Sequence, residues 1–581
     1  MLRNTLVHGR RGLGLAMAFV LCSGLPVSAA VTPDVEHALQ TAGQVQDSVK
    51  NRDLVVPPKA NVQIEVTEEQ PEGEPSKEGF KFPVKGFQFS GIGTVNELAL
   101  REDKLQALVK DAAGQELTLS ELKAVARRVT KYFHAQGYMV ARAYIPAQKL
   151  EDGIITIAVL PGKYGAIELR NHSRLSDRLA RKMLADLDPG SYVKRSELER
   201  TLLLISDTGG ISIKANLKPG DATGTSTLVV DIENTEALTA DLSMNNYGNR
   251  YTGKDLRSFN LDAHNVSGKG DQLGFHVDNS GGGLTNFGLD YIVPLGGKGL
   301  KLGIGYEQLR YSLGQDFEAL DAYGTSKNTN VYLIYPLVRT YNYNLYARLG
   351  YSNRRLEDRI NQQYTFNERH ANVWTVGLNG DSKDNYLGGG VNNFGLTVTL
   401  GRLNIDDGTL FGSIPAEESD RLGPQTAGGF TKTNLYFSRL QRLSDRTNLY
   451  FGLSGQLAGK NLDSSEKMYL GGGNGVRAYP QGEASGDQGY LLTTELRYQT
   501  NNPALQLVGF IDHGYVQGNH HDYVGAAENR TLSGAGLGLI YSRSKQYTLR
   551  LDYAWKLGDE DAVSDDDKNG RLWLRGTRYF E

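Results

Sequence analysis

The stretch "YTLRLDYAWKL", Tyr547 to Leu557, alternates along its whole length. Tyr547, Leu549, Leu551, Tyr553, Trp555 and Leu557 fall on one face; Thr548, Arg550, Asp552, Ala554 and Lys556 fall on the other. A period of two with one apolar and one polar face belongs to a half-buried β-strand. Here the polar face carries charges in mid-strand. A soluble sandwich would turn that face outward, whereas a membrane barrel turns it toward a wet lumen. "NLYFGLSGQL" (448–457) repeats the pattern, with Leu449, Phe451, Leu453 and Leu457 set against Tyr450, Ser454 and Gln456. Sixteen such segments are predicted in residues 236–581. Among them are 329–338, 342–354, 369–380, 392–404, 446–458, 488–500, 505–517, 547–557 and 571–580. An even number of strands, each near ten residues, suits a transmembrane barrel that begins and ends in the periplasm. The last segment closes on Phe580, the kind of terminal aromatic that barrel-assembly machinery reads, and Glu581 follows it.

The amino terminus agrees with export. Arg3, Arg10 and Arg11 precede a short apolar run, Gly12 to Leu21, and the small residues Ser28, Ala29 and Ala30. That is the pattern of a cleaved secretory signal, predicted over 1–30. Cys22 is the only cysteine and would leave with it, so the mature chain is expected to be exported without disulfides. After the signal, no apolar run approaches the roughly 20 residues of a membrane helix. The net charge of −3 gives no polyelectrolyte surface and argues against nucleic acid as a partner. With 69 glycines and 31 tyrosines, the chain fits a loop-rich β protein better than a helical enzyme. An exported chain of this kind is either a soluble periplasmic or secreted protein, or an outer-membrane barrel.

Between signal and barrel, residues 31–52 predict one polar helix. Thr32 is its N-cap and Pro33 its first helical residue. At about 1.5 Å per residue it would be roughly as long as a membrane barrel is tall. Residues 53–80 hold Pro57, Pro58, Pro71 and Pro75 among glutamates and read as a disordered or extended linker. Two small α/β units follow, 81–162 and 163–235, each in the order β-α-α-β-β. In the first, Thr118 and Glu121 form a capping box that opens a helix. Each unit has a sheet edge that could accept a strand from a partner.

The longest connection, 459–487, lies between strands eleven and twelve and is expected on the outer side. It contains "LGGGNGVRAYPQGE" (470–483), a glycine run followed by a lone arginine. Strand thirteen contains "LQLVGFIDHGYV" (505–516). Alternation puts Leu505, Leu507 and Ile511 on the lipid side, and Phe510, Asp512 and Gly514 toward the lumen, where a buried charge needs a partner. On strand twelve, Leu492 and Leu496 face lipid, so Glu495 and Arg497 point inward.

With a signal, a polar helix, a linker, two β-α-α-β-β units and a sixteen-strand barrel, the chain resembles the TpsB transporters of two-partner secretion, the ShlB/FhaC/HecB family. The family's loop motif, V-R-G-Y, corresponds to Val476-Arg477-Ala478-Tyr479 behind Gly471, Gly472 and Gly473, with alanine in place of the usual glycine. Its F-x-D-x-G strand motif corresponds to Phe510, Asp512 and Gly514. The resemblance implies that the α/β units are POTRA domains, and that the loop folds back into the barrel. It pairs Arg477 with Asp512, with Glu495 as a second carboxylate. It also implies a plug helix at 31–52, an unfolded TpsA-type exoprotein as partner, an outer-membrane location, insertion by the barrel-assembly machinery, and a monomer. No cofactor is implied.

Rival readings lack their residues. A P-loop needs a preceding strand, a following helix and a terminal Gly-Lys-Ser/Thr, and "GGGNG" has none of these. "NHHDY" (519–523) supplies too few fixed ligands for a metal. No HExxH, GxSxG or CxxC occurs, so no enzyme is expected. A barrel insertase of the same superfamily is the alternative function, although such chains carry more POTRA units and no leader helix. A diffusion porin lacks the α/β units altogether.

Overall fold

The computed structural model describes residues 62–67, 79–91, 102–149, 152–410 and 413–580. The signal over 1–30 and the plug helix over 31–52 lie outside the described residues. Among those described, no helix is long and apolar enough to cross a membrane.

The strands expected in the second half close into one antiparallel barrel. In chain order they are one, Leu238–Asn245; two, Leu256–His264; three, Gln272–Asn279; four, Leu284–Pro294; five, Lys301–Ser312; six, Ala322–Arg339; seven, Tyr343–Ile360; and eight, Thr365–Asp384. Then come nine, Gly390–Leu410; ten, Gly428–Arg442; eleven, Thr447–Ala458; twelve, Gln488–Gln499; thirteen, Leu505–Gln517; fourteen, Arg530–Arg543; fifteen, Tyr547–Lys556; and sixteen, Gly570–Phe580. Each pairs with its chain neighbours, and strand one pairs with strand sixteen from Ala240↔Phe580 to Asn245↔Arg575. Closure leaves no free edge, as a lipid environment requires. The alternation in Tyr547–Lys556 is realised: Leu549, Tyr553 and Trp555 are exposed on the outside, while Asp552 and Ala554 are buried inside. Phe580 ends the last strand on the outer, apolar side.

Strands six to nine run well past the segments predicted for them. Strand eight covers Thr365–Asp384, where alternation marks only 369–380. The added length, such as "NRRLEDRI" at the end of strand seven, has Arg355, Glu357 and Arg359 on the face where an apolar stripe would be, while Leu356 and Ile360 are buried on the other. A hairpin that rises beyond the lipid band meets water on its outer face, so its hydrogen-bonded ladder continues after the lipid-facing apolar stripe has stopped. A two-residue strand, Ile414–Pro415, also folds back on the end of strand nine.

Both α/β units are present. In the first, Gly86–Ser90 and Arg142–Tyr144 flank Ile154–Leu160. Its helix Leu119–Ala135 opens with the expected capping box: Glu121 N–H donates to Thr118 Oγ1 at 3.3 Å, and Thr118 N–H donates to Glu121 Oε2 at 2.8 Å. This helix lays Leu122, Val125, Val129 and Phe133 on the sheet. In the second unit, helices Asp177–Leu184 and Arg195–Ser206 cover a sheet made of Lys163–His172, Thr225–Asn234 and Ile211–Pro219. A fourth strand, Val62–Val66, lies parallel on its edge, within the stretch that reads as linker by composition. Proline and glutamate dominate that stretch, but Val62, Ile64 and Val66 alternate, and an open sheet edge gives the alternation something to pair with.

The second unit is fixed to the barrel. Asp207, at the end of helix Arg195–Ser206, receives Arg339 through both carboxylate oxygens at 2.7 and 2.9 Å. Lys301 donates to the Asp207 carbonyl at 2.6 Å, and Ser176 N–H donates to the Gly268 carbonyl at 2.8 Å. Connections after even-numbered strands therefore face the α/β units. Those after odd-numbered strands, including 459–487, lie on the far, outer side.

Candidate functional site: a loop held inside the barrel

The 459–487 connection does not stand out into solvent. Its arms pair as a short hairpin, Met468–Leu470 with Ala484–Gly486. The segment between them descends along the inner wall of strands twelve to sixteen. Gly471 and Gly472 adopt φ of 87° and 88°, left-handed values that L side chains rarely take, and so reverse the chain direction. Gly472 N–H then closes the tip by donating to the Tyr479 carbonyl at 3.0 Å. Val476, Ala478 and Tyr479 are wholly buried among Phe510, Leu532 and Ala554. Ala478 is not among the residues of positive φ, so alanine in place of the family glycine needs no unusual backbone. Room for its methyl comes from strand fourteen, where a Cβ added at Gly534 would lie 2.5 Å from the Ala478 Cβ. Gly514 is used in the same way, because a Cβ there would lie 2.8 Å from Leu470.

Arg477 reaches the wall in mid-strand. Its Nε and one terminal nitrogen donate to the two Asp512 oxygens at 2.7 and 2.8 Å. Its other terminal nitrogen donates to Glu495 at 2.8 Å and to Asp552 at 3.2 Å. Its backbone N–H also donates to Asp512, at 3.2 Å. The guanidinium lies 3.4 Å from the centre of the Phe510 ring. Only arginine offers a planar fork that can hold one carboxylate twice and others at its second face. The three residues proposed as a loop-to-barrel lock are therefore brought together.

Four further residues complete the cluster. Arg550 donates to Glu495 at 2.6 Å and to Asp552 at 2.7 Å, and Arg497 donates to Glu495 at 2.6 Å. Trp573 Nε1–H donates to the Arg477 carbonyl at 2.6 Å. Arg477, Arg497 and Arg550 thus face Glu495, Asp512 and Asp552, a neutral set with each charge hydrogen-bonded, as burial demands. Asp552 and Arg550 were visible on the polar face of "YTLRLDYAWKL", but a period of two says which face, not which partner. Trp573, buried between the exposed Leu572 and Leu574, faces inward as well, and nothing in the sequence singles it out.

The loop is also gripped at its ends. At its base, Glu466 pairs with Arg354 of strand seven, Asp463 pairs with Arg369 of strand eight, and Lys432 of strand ten donates to the Glu466 carbonyl at 2.9 Å. Above the tip, Glu483 accepts from the backbone N–H groups of Val563 and Ser564 at 2.8 and 3.1 Å. Tyr479 OH donates to the Glu560 carbonyl at 3.2 Å. "NHHDY" joins the same assembly: His520 N–H donates to Asp487 and His521 N–H to Asn461. Phe580 lies apart from this site.

Across the lumen, strands one to eight leave a cavity of about 670 Å³. Its lining mixes neutral side chains such as Asn260, Asn328 and Ser352 with charged ones such as Asp262, Glu307 and Arg348.

Known proteins resemble the chain over most of its length. The family described as Haemolysin secretion/activation protein ShlB/FhaC/HecB matches residues 224–541, and the POTRA domain, ShlB-type, matches 82–162. The heme/hemopexin transporter protein HuxB of Haemophilus influenzae is 29% identical over 519 residues, covering 87% of this chain and 88% of that protein. The outer membrane transporter CdiB of Dickeya dadantii is 22% identical over 461 residues, 76% of this chain and 77% of that one. Among solved structures, CdiB from Escherichia coli superposes with a TM-score of 0.67 at 21% identity, over 95% of this chain and 100% of that one. BamA from Haemophilus ducreyi, lacking its POTRA domains 1–3, gives 0.52 at 14% identity, over 86% of this chain and 100% of that one. At these identities the solved structures speak for the fold alone.

Proposed function

Because the chain belongs to the haemolysin secretion/activation family ShlB/FhaC/HecB of outer-membrane two-partner secretion transporters, we propose that it exports one unfolded exoprotein. The POTRA domains, 81–162 and 163–235, receive the exoprotein in the periplasm as an extended strand, and it then crosses the barrel of residues 236–581. The observation that carries this reading is the division of the lumen. A loop is tied to one wall by Arg477, while the opposite wall, lined by amides, hydroxyls and charged side chains of both signs, is left open beside the second POTRA domain. Such a wall offers hydrogen bonds to a passing extended backbone. Folding of the exoprotein outside supplies direction, since no nucleotide site is proposed. The likeness to a heme/hemopexin transporter protein favours a cargo that handles heme or hemopexin over a toxin. The leader helix 31–52 is proposed to fill the open half at rest, the barrel-assembly machinery to insert the chain, and a single copy to suffice. No catalytic step is part of this function.

The test is deletion of the protein followed by comparison of culture medium with outer membrane. Loss of one large exoprotein from the medium is expected, with the set of outer-membrane barrels unchanged. Broad loss of those barrels would instead identify an insertase.

A further inference from the structure

The strand Val62–Val66 occupies a place that another strand could take. It pairs in parallel with Ile211–Pro219, in register from Val62↔Ile213 to Val66↔Leu217. It is the outermost strand of the second POTRA sheet, whose order continues through Ile211–Pro219, Thr225–Asn234 and Lys163–His172. Val62, Ile64 and Val66 pack on that domain's core, half-buried, while Gln63 and Glu65 are exposed. Beyond the ladder, the next residue adds two contacts: Thr67 N–H donates to the Leu217 carbonyl and its hydroxyl to Asn216 Oδ1, both at 3.0 Å.

Three properties make this strand replaceable. It is only five residues long. Its neighbour Ile211–Pro219 is about 150 positions away in the chain, as the Ile64↔Ala215 pair shows, so no hairpin turn holds the two together. Its recognition consists of a backbone ladder and apolar side chains at alternate positions, which any extended segment of the same pattern supplies. Without it, Ile211–Pro219 would present a bare edge, the feature that invites pairing with another chain.

We propose that Val62–Val66 is an internal stand-in for cargo. It covers the Ile211–Pro219 edge until an extended exoprotein segment, apolar at every second residue, exchanges with it. The proposal rests on the secretion function above and names the edge where cargo first binds. Coverage by the chain's own strand also keeps the edge from pairing with unrelated chains.

The test is a reversible staple. Gln63 and Lys214 are opposed in register and both exposed, so Gln63→Cys with Lys214→Cys, in a Cys22→Ser background, locks the strand in place. In cells, the oxidised staple is expected to lower export at least about tenfold, with a reductant restoring it. Ile64→Asp, which loosens the strand, is expected to keep export. A second measurement uses the purified full-length protein and a labelled synthetic peptide with the sequence of residues 60–68. The peptide is expected to bind the Ile64→Asp protein and to be excluded from the stapled one. Undiminished export by the stapled protein, or equal peptide uptake by both variants, would overturn the exchange. Export by the unstapled Cys22→Ser parent separates these outcomes from failure of the secretion reading itself, in which the parent would export nothing.

Discussion

The two halves of the barrel lumen are built from the same kind of strand but solve different problems. The wall of strands twelve to sixteen is written for one partner. Gly514 and Gly534 are hollowed out for Leu470 and Ala478, and three carboxylates and three arginines are paired around Arg477. The wall of strands one to eight grips the base of the loop at Arg354 and Arg369 and elsewhere borders an open cavity. Its inward amides bond sideways along the wall, as Asn260 does to Asp241 at 3.0 Å and Asn286 to Glu307 at 3.1 Å, and the space beside them stays open. The difference shows how one pore can hold a loop rigidly and still leave a path. In the filled half the buried charges are paired with one another, because an unpaired buried ion would cost several kcal/mol. The open half mixes neutral polar groups with charges of both signs, among them Asp241, Asp262, Asp290, Glu307 and Arg348.

The most direct way to break this comparison acts on the open half. Deletion of residues 31–52 should raise ion conductance in planar bilayers several-fold if the leader helix fills the space beside strands one to eight. Unchanged conductance would mean that the open half is empty at rest or closed by something else.

A smaller effect is expected from the filled half. Gly534→Ala drives a methyl into Ala478, so the loop tip must shift and export should fall severalfold. Ala478→Gly in the same chain should restore it, with a coupling of about 1–2 kcal/mol between the two positions. Independent, additive losses would show that the tip does not rest on strand fourteen.

The smallest effect concerns the outer rim. Asp565, between strands fifteen and sixteen, pairs with Lys254 at 2.7 Å and Arg571 at 3.2 Å, linking the first outer loop to the last strand. Burial raises its pKa, but hydrogen bonding to Lys254 and to the Asp566 backbone, with Arg571 nearby, outweighs that and holds the carboxyl below the ordinary aspartate range. A lowered folded value means the tie is complete above the unfolded pKa, near about 4. It is lost as pH falls through the folded value. Hydrogen exchange of residues 557–569, corrected for intrinsic rates, should therefore stay slow from pH 7 to about pH 4 and quicken below it. Quickening near pH 6 would rule out Asp565 as the holding group.

How much of this was legible beforehand follows from the range of the forces involved. Alternation is local, so the sixteen strands, the inward face of Asp512 and Glu495, and the capping box at Thr118 could be read from neighbouring residues. The pairing of Arg477 with Asp512 required the family motifs, because nothing in one segment records the partner across a barrel. Asp552, Arg550 and Trp573 escaped for that reason, although Asp552 and Arg550 lay on a face already read as polar. The outer parts of strands six to nine escaped because, beyond the lipid band, polar residues such as Arg355, Glu357 and Arg359 replace the apolar outward stripe. The strand Val62–Val66 was hidden by the prolines and glutamates around it, and its alternation gains meaning only beside the edge of Ile211–Pro219.

The central claim is that the tip of the 459–487 loop, fixed to the wall by Arg477, is what makes the barrel competent for export. Arg477→Ala tests it, read as exoprotein in the medium alongside heat-modifiable migration of the barrel from the outer membrane. The account predicts a folded, correctly inserted barrel that exports nothing. Normal export by that variant would contradict it.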